Sequence, residues 1–357
     1  MKTYNIFRMI KEVSNLSCEK RIIRCYPTFK VSSCPSGPPG PPGPIGPAGP
    51  TGPTGPSGAT IPTSVNRIYV ANQGSNDVYV IDGFTSTVIA TVPVGAGPSG
   101  VAVNPITNRI YTADSGSDSV SVIDGTSNTV VATVPVDSGP FGVAVNLLTN
   151  RIYATNSVSE TVSVIDGITN TVIATIPVNT NPVGVAVNPI TNRIYVVNSG
   201  SNNVSVIDGI SNTVISTVGV GSDPIGVAVN LSTNAIYVAN NANSNVSVID
   251  GTSNTVVTTV AVDPGPLNIS VNSTTDRIYV TNILSNTVSV IDGASNTVIA
   301  TVPVGSLPVG VATNPLTNAI YVAIAGTNSV SVINGITFSI VATIPVGTSP
   351  SGIGVNP

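Results

Sequence analysis

Seven tyrosines, Tyr69, Tyr111, Tyr153, Tyr195, Tyr237, Tyr279 and Tyr321, stand 42 residues apart with no insertion or deletion between them. The surrounding text repeats with them: an Ile-Tyr step, then Ile-Asp-Gly, then a Pro-x-Gly-Val-Ala-Val-Asn run, with local variations. A unit of this length cannot bury its own apolar face, so neighbouring units must stack to make a core. Whatever is specific to the molecule has to lie where the seven copies differ.

Within one copy the apolar residues alternate over short runs bounded by turn residues. Val101–Val103 and Arg109–Ala113 read as strands flanking the turn Asn104-Pro105-Ile106-Thr107-Asn108. A loop at 114–118 leads to Ser119–Ile123, and the turn Asp124-Gly125 opens a hairpin to Thr129–Val136. Asn, Pro, Asp and Gly at those junctions supply turn geometry, and the alternation supplies half-buried strands. Four antiparallel strands in a period of about 40–45 residues make one blade of a β-propeller.

The ends of the array carry further information. It begins on a second strand, Asn66–Ala71, and ends on a first strand, Gly352–Asn356. Seven blades are complete only if that last strand joins the blade begun at the N-terminal side. Closure of this kind removes the free edges that a linear stack would expose. The expected fold is therefore all-β, a seven-bladed propeller over residues 61–357.

Two segments precede it. Residues 37–60 hold glycine at every third position from Gly37 to Gly58, in triplets such as Gly-Pro-Pro and Gly-Pro-Thr. That spacing is what a collagen triple helix demands, because only glycine fits at its axis. The segment reads either as a trimerising stalk or as a single-chain polyproline spacer. Residues 1–36 form a leader in which Ile6, Met9, Val13 and Leu16 fall at heptad spacing, giving a short helix or else a disordered or targeting tail. Cys18, Cys25 and Cys34 lie there too, as inter-chain bonds in a self-associated trimer or as reduced thiols.

Charge divides the chain. After residue 60 there are five arginines, no lysine and fourteen carboxylates, a net charge of −9. Such a domain has no footprint for nucleic acid. Histidine is absent, which removes the commonest general base and metal ligand. No apolar run is long enough to span a membrane. The first 26 residues do not read as a secretory signal, since Lys2, Arg8, Lys11 and Glu12 break any apolar stretch.

The repeat resembles the YVTN family of β-propeller repeats. Tyr279-Val280-Thr281-Asn282 spells its signature, with variants at Tyr69–Asn72, Tyr153–Asn156, Tyr195–Asn198 and Tyr237–Asn240. The last copy departs most, with Ala319, Ile324 and Asn334 in place of Arg, Asn and Asp. Resemblance to this family implies display or binding at a bacterial or archaeal surface rather than a particular reaction. The Gly-Pro-Thr region resembles the stalks of collagen-like surface proteins of endospore-forming bacteria. It implies placement at the spore or cell surface, and O-glycosylation at threonines such as Thr51 and Thr54.

The repeated residues have structural readings. The tyrosines are expected to pack between blades, each hydroxyl satisfied by a neighbour. The aspartates Asp82, Asp124, Asp166, Asp208, Asp250 and Asp292 should cap the turns they open. Strand order places them beside Arg67, Arg109, Arg151, Arg193 and Arg277, predicting Arg–Asp pairs.

Candidates for function lie outside the repeat. On the face formed by the second-to-third-strand loops and the inter-blade loops stand Asp77, Asp114, Asp118, Asp137, Glu160, Asp223 and Asp263, without a basic partner. The first five are concentrated in three consecutive blades and form a candidate face for a cation or a basic partner; Ca²⁺ is the ion that clustered carboxylates would take. The competing reading is a solvated acidic surface. Phe141, Val183, Ile225, Leu267 and Val309, at the x of Pro-x-Gly, form either an exposed contact ring or a plug. These features predict a non-enzymatic surface protein that presents a propeller head to proteins, glycans or ions, with no organic cofactor. The alternative is a propeller lyase or hydrolase with a carboxylate-held metal at Asp137, Asp223 or Asp263 near the channel mouth.

Overall fold

The computed structural model describes residues 66–357, so the leader and the Gly-X-Y segment lie outside the described residues. Those 292 residues form twenty-eight strands in seven four-stranded antiparallel sheets. The chain enters blade 1 at β1 (Arg67–Asn72), followed by β2 (Asp77–Asp82) and β3 (Thr87–Pro93). Blade 2 is β4 (Pro98–Asn104), β5 (Arg109–Asp114), β6 (Ser119–Asp124) and β7 (Thr129–Pro135). Each later blade repeats this order from the innermost strand outward. The last strand, β28 (Pro350–Asn356), pairs antiparallel with β1, setting Arg67 opposite Asn356 and Tyr69 opposite Gly354. Closure through the C-terminal strand is as the register of the repeat predicted.

Both middle strands of a blade are covered on both faces by neighbouring blades, so the second strand carries a short apolar run such as Ile68–Ala71 and the third buries a serine such as Ser121 among its valines. Tyr69 sits with Val78, Val80 and Val92 of its own blade against Ile110 and Ile123 of blade 2. The seven ladder tyrosines are the largest fully buried side chains. Blade 7 meets blade 1 in the same way, Tyr321, Val330 and Ile344 packing on Ile68, Val70 and Ile81. The expectation for the hydroxyls is corrected: those of Tyr69, Tyr111, Tyr153, Tyr195 and Tyr279 make no hydrogen bond to a protein group. Tyr237 comes only within 3.5 Å of Asn296 Oδ1. Burial pushes the phenols of Tyr69, Tyr111, Tyr237 and Tyr279 up to about 12.

One end of the propeller, the turn face, is held by two sets of polar contacts. Asp82 Oδ1 accepts the Phe84 and Thr85 amides, the turn cap expected, and its other oxygen pairs with Arg67. Arg109–Asp124, Arg193–Asp208 and Arg277–Asp292 pair likewise. Arg151 departs from the expectation and donates instead to the Gly209 carbonyl of the next blade at 2.8 Å. The Ser211 amide, opposed by partial burial and joined by Arg193, pulls the Asp208 carboxyl down to about 2. The second set is a belt of asparagines, one leaving each innermost strand. Asn104 Nδ2 donates to Asn150 Oδ1 at 2.8 Å, Asn146 to Asn192 at 2.7 Å, and so on around the ring. Six of the seven, all but Asn356, also cap their own turns, as Asn104 Oδ1 does for the Ile106 amide at 3.1 Å.

Candidate functional site

The opposite end, the loop face, opens onto the central channel. The second residue of each innermost strand stands at its mouth: Ser351, Ser99, Phe141, Val183, Ile225, Leu267 and Val309 in ring order. Together with Gln73 and Asn268 they line a cavity of about 320 Å³. The next residue inward is glycine in six of the seven blades. A Cβ at Gly184 would run into the Ile225 carbonyl oxygen, so its absence lets adjacent strands approach along the channel wall. Asn268 is the exception, its Oδ1 accepting the Ile269 amide at 2.8 Å.

The ring has an apolar arc and a polar one. Phe141 is the most open of its apolar members, at 42% exposure, whereas Val183 is buried at 8%. Phe141 thus stands open at the mouth while Val183 is packed into its wall, so neither alternative describes the whole ring. The two serines hold main chain: Ser99 Oγ donates to the Phe141 carbonyl at 2.7 Å and Ser351 Oγ to that of Pro98 at 2.9 Å. Thr155 and Thr281 hold the Val183 and Val309 carbonyls in the same manner. No titratable side chain lines the cavity among the described residues, so neither serine has a base within it to become a nucleophile.

The candidate acidic residues surround this mouth in separate settings. Asp77 accepts from Asn72 Nδ2 at 2.8 Å and Ser75 Oγ at 3.0 Å. Asp118 and Glu160 occupy left-handed turn positions at φ 47° and 57°, where other blades place Asn or Ser. Asp118 Oδ1 accepts the Gly139 amide at 2.9 Å, tying its loop to the next one. Asp137 and Asp263 accept the hydroxyls of Thr161 and Thr287 at 2.8 and 2.7 Å, and Asp223 that of Ser199 at 2.7 Å.

Asp114 differs from all of these. It is wholly buried, accepting from Thr112 Oγ1 at 2.8 Å and Ser121 Oγ at 2.6 Å. Burial pushes its carboxyl above the usual range despite those bonds. It stands where five other blades carry Asn, as at Asn156, whose Nδ2 donates to Ser163 Oγ. Asp114 is therefore an interior group and not part of the exposed face. Among the described residues no three acidic side chains gather in a way that would hold a metal ion.

The sequence reading missed the asparagine belt, although the signal was present. Asn104, Asn146, Asn188, Asn230, Asn272, Asn314 and Asn356 recur at the 42-residue spacing as strictly as the tyrosines.

The chain is a seven-bladed β-propeller. Solved structures of the same fold include hydrazine synthase of Kuenenia stuttgartiensis, with a TM-score of 0.68 and 19% identity, over 79% of this chain and 99% of that one. A functionally unknown protein from Desulfotomaculum acetoxidans DSM 771 superposes with a TM-score of 0.73 at 16% identity, over 81% and 98%. The dihydro-heme d1 dehydrogenase NirN matches at 0.62 and 13%, over 84% and 77%. At these identities the likeness is one of fold alone. No family model matches the chain, and no curated protein gives a significant match to it. No helix among the described residues is long and apolar enough to cross a membrane.

Proposed function

We propose that the chain is a non-enzymatic binding protein of the spore or cell surface, in which residues 37–60 form a stalk and the propeller is the head. The observation that carries the binding role is the channel mouth, an apolar arc from Phe141 to Val309 lined by no titratable group. Asp118, Asp137 and Glu160 lie on the loops of blades 2 and 3 next to the strand that carries Phe141, and Asp77 lies on the same face in blade 1. An apolar side chain carried on a basic protein segment fits that combination: the funnel takes the side chain and the carboxylates draw the segment in.

The catalytic alternative requires Asp137, Asp223 or Asp263 to share an ion with further ligands. One oxygen of each accepts a hydroxyl, from Thr161, Ser199 and Thr287, and no three acidic side chains gather among the described residues.

The chain contains no tryptophan, so a lysine-flanked peptide with one central tryptophan reports its own binding by fluorescence. The expected result is a blue shift on titration with the protein, lost in Phe141→Asp and weakened by salt. Absence of a shift, or an equal shift with Phe141→Asp, rejects the funnel as the recognition site. Sedimentation of the intact chain tests the stalk: a trimer supports it and a monomer removes it.

A further inference from the structure

Each blade ends in an outermost strand whose far edge has no partner strand, and the seven edges form the rim of the propeller. These strands read Thr-Val-Ile-Ala-Thr-Val-Pro in β3 and close variants elsewhere. None of the nineteen charged residues from Arg67 onward lies in any of them. Sheet edges in proteins that stay apart are commonly blunted with lysine or other charges. Here that device is missing all around the molecule.

The edge has a second feature. In each blade the register of the outermost strand shifts at one residue, as where Val80 faces Ala90 but Ile81 faces Val88. The residue left over is Ile89, with Val131, Ile173, Ile215, Val257, Ile299 and Val341 at the equivalent positions. These side chains are 44–61% exposed. Such a bulge interrupts the ladder a further strand would extend, so the rim offers β-branched side chains rather than a template for strand addition.

We infer that the propeller packs rim to rim against further copies of itself, through the Val and Ile side chains of these outermost strands. The distribution of charge selects that partner. The loop face carries acidic residues and no basic one, so two such faces repel each other, and a basic partner is drawn there rather than to the rim. The rim is the direction along which copies of a domain of net charge −9 approach with no charged residue in the contacting strands. The matching surface it needs, uncharged and β-branched, is one the molecule itself presents seven times. Because the edges point outward around a ring, such contacts build open lateral assemblies rather than a closed pair. The association does not depend on what the channel mouth binds.

The test is sedimentation velocity of the full chain across a wide concentration range, with and without ammonium sulfate. Any fixed oligomer formed through residues 1–65 sets the starting mass, and only growth beyond it counts. The expected result is a sedimentation coefficient that rises with concentration and rises further in sulfate, which strengthens apolar contact. Changing Ile89, Ile173, Ile215 and Ile299 together to Lys should weaken the growth by at least about tenfold. The same four changed to Thr, which keeps strand propensity, should weaken it in the same direction, with circular dichroism confirming the fold. A wild-type coefficient independent of concentration overturns the inference. So does growth that neither folded variant reduces.

Discussion

Asn356 Nδ2 donates to Asn108 Oδ1 at 2.9 Å, joining the last strand of the chain to the first turn of blade 2. With Asn314 donating to Asn66 at 2.8 Å, it completes a circuit of seven side-chain links around the turn face. One link differs, Asn230 reaching Asp276 rather than an asparagine, at 2.6 Å. The strand pairing of β28 with β1 closes blade 1, and the belt ties each blade to the next. Closure is thus fastened twice, by main chain within a blade and by side chain between blades.

Asn356→Ala should therefore loosen the ring without removing the strand. The substitution deletes a buried amide and leaves Asn108 Oδ1 without its donor. The expected cost is about 1–3 kcal/mol in denaturant unfolding. Asn188→Ala loses its link to Asn234 and also two turn bonds, to the Ile190 and Thr191 amides, and should cost more. Equal and negligible losses at both positions would show the belt to be incidental to stability.

Asp114→Asn restores the residue that five other blades carry at this position, and should stabilise the protein. The native carboxyl is held above its ordinary range by burial, so the folded state keeps a proton that the unfolded state has released. Stability is then lost as pH rises from the unfolded value toward the folded one. The variant should melt higher than wild type at neutral pH, and the gap should close as the solution is acidified below the unfolded carboxyl range. Melting temperatures across an acidic series check both sign and window.

How much of this was legible beforehand follows from which interactions stay within one repeat. Arg67 and Asp82 could be paired on paper because both lie at the same end of adjacent strands in one blade. The belt links residues 46 apart, one repeat plus a turn, and so crosses between blades where local reading has no purchase. Asp114 misled for a related reason. It follows an apolar strand and precedes a loop, so it reads as exposed, while its position in the repeat is that of a buried asparagine. The tyrosine ladder announced the interblade core correctly. The hydroxyls were assigned partners by general expectation, and the apolar surroundings of Tyr69 offer none.

Those phenols predict an alkaline limit. At the four positions where burial raises the value to about 12, the native side chain holds its proton after an unfolded tyrosine has lost it. The folded state binds more protons there, so stability is intact below about pH 10 and falls as pH rises toward about 12. Phenolate absorbance should appear together with unfolding for the ladder tyrosines. Tyr279→Phe should cost less than about 1 kcal/mol, because its hydroxyl makes no protein hydrogen bond, and should make the alkaline loss shallower. Denaturation midpoints between neutral and strongly alkaline pH decide this.

Gly184→Ala tests the packing of the channel wall. A methyl group there meets the Ile225 carbonyl oxygen, which belongs to a neighbouring innermost strand and not to a flexible side chain. The strands can relieve the contact only by separating, which disturbs the interface holding Val183, Tyr195 and Val227. Overpacking of this kind costs about 1–3 kcal/mol. Gly219 supplies the control, since a Cβ there meets nothing within 4 Å and Gly219→Ala should be close to neutral. Gly219 lies at the end of an outermost strand, far from the axis in sheet order, so the pair separates the effect of the methyl group from that of its location. If Gly184→Ala unfolds at the wild-type denaturant concentration, the innermost strands are not in the close contact described.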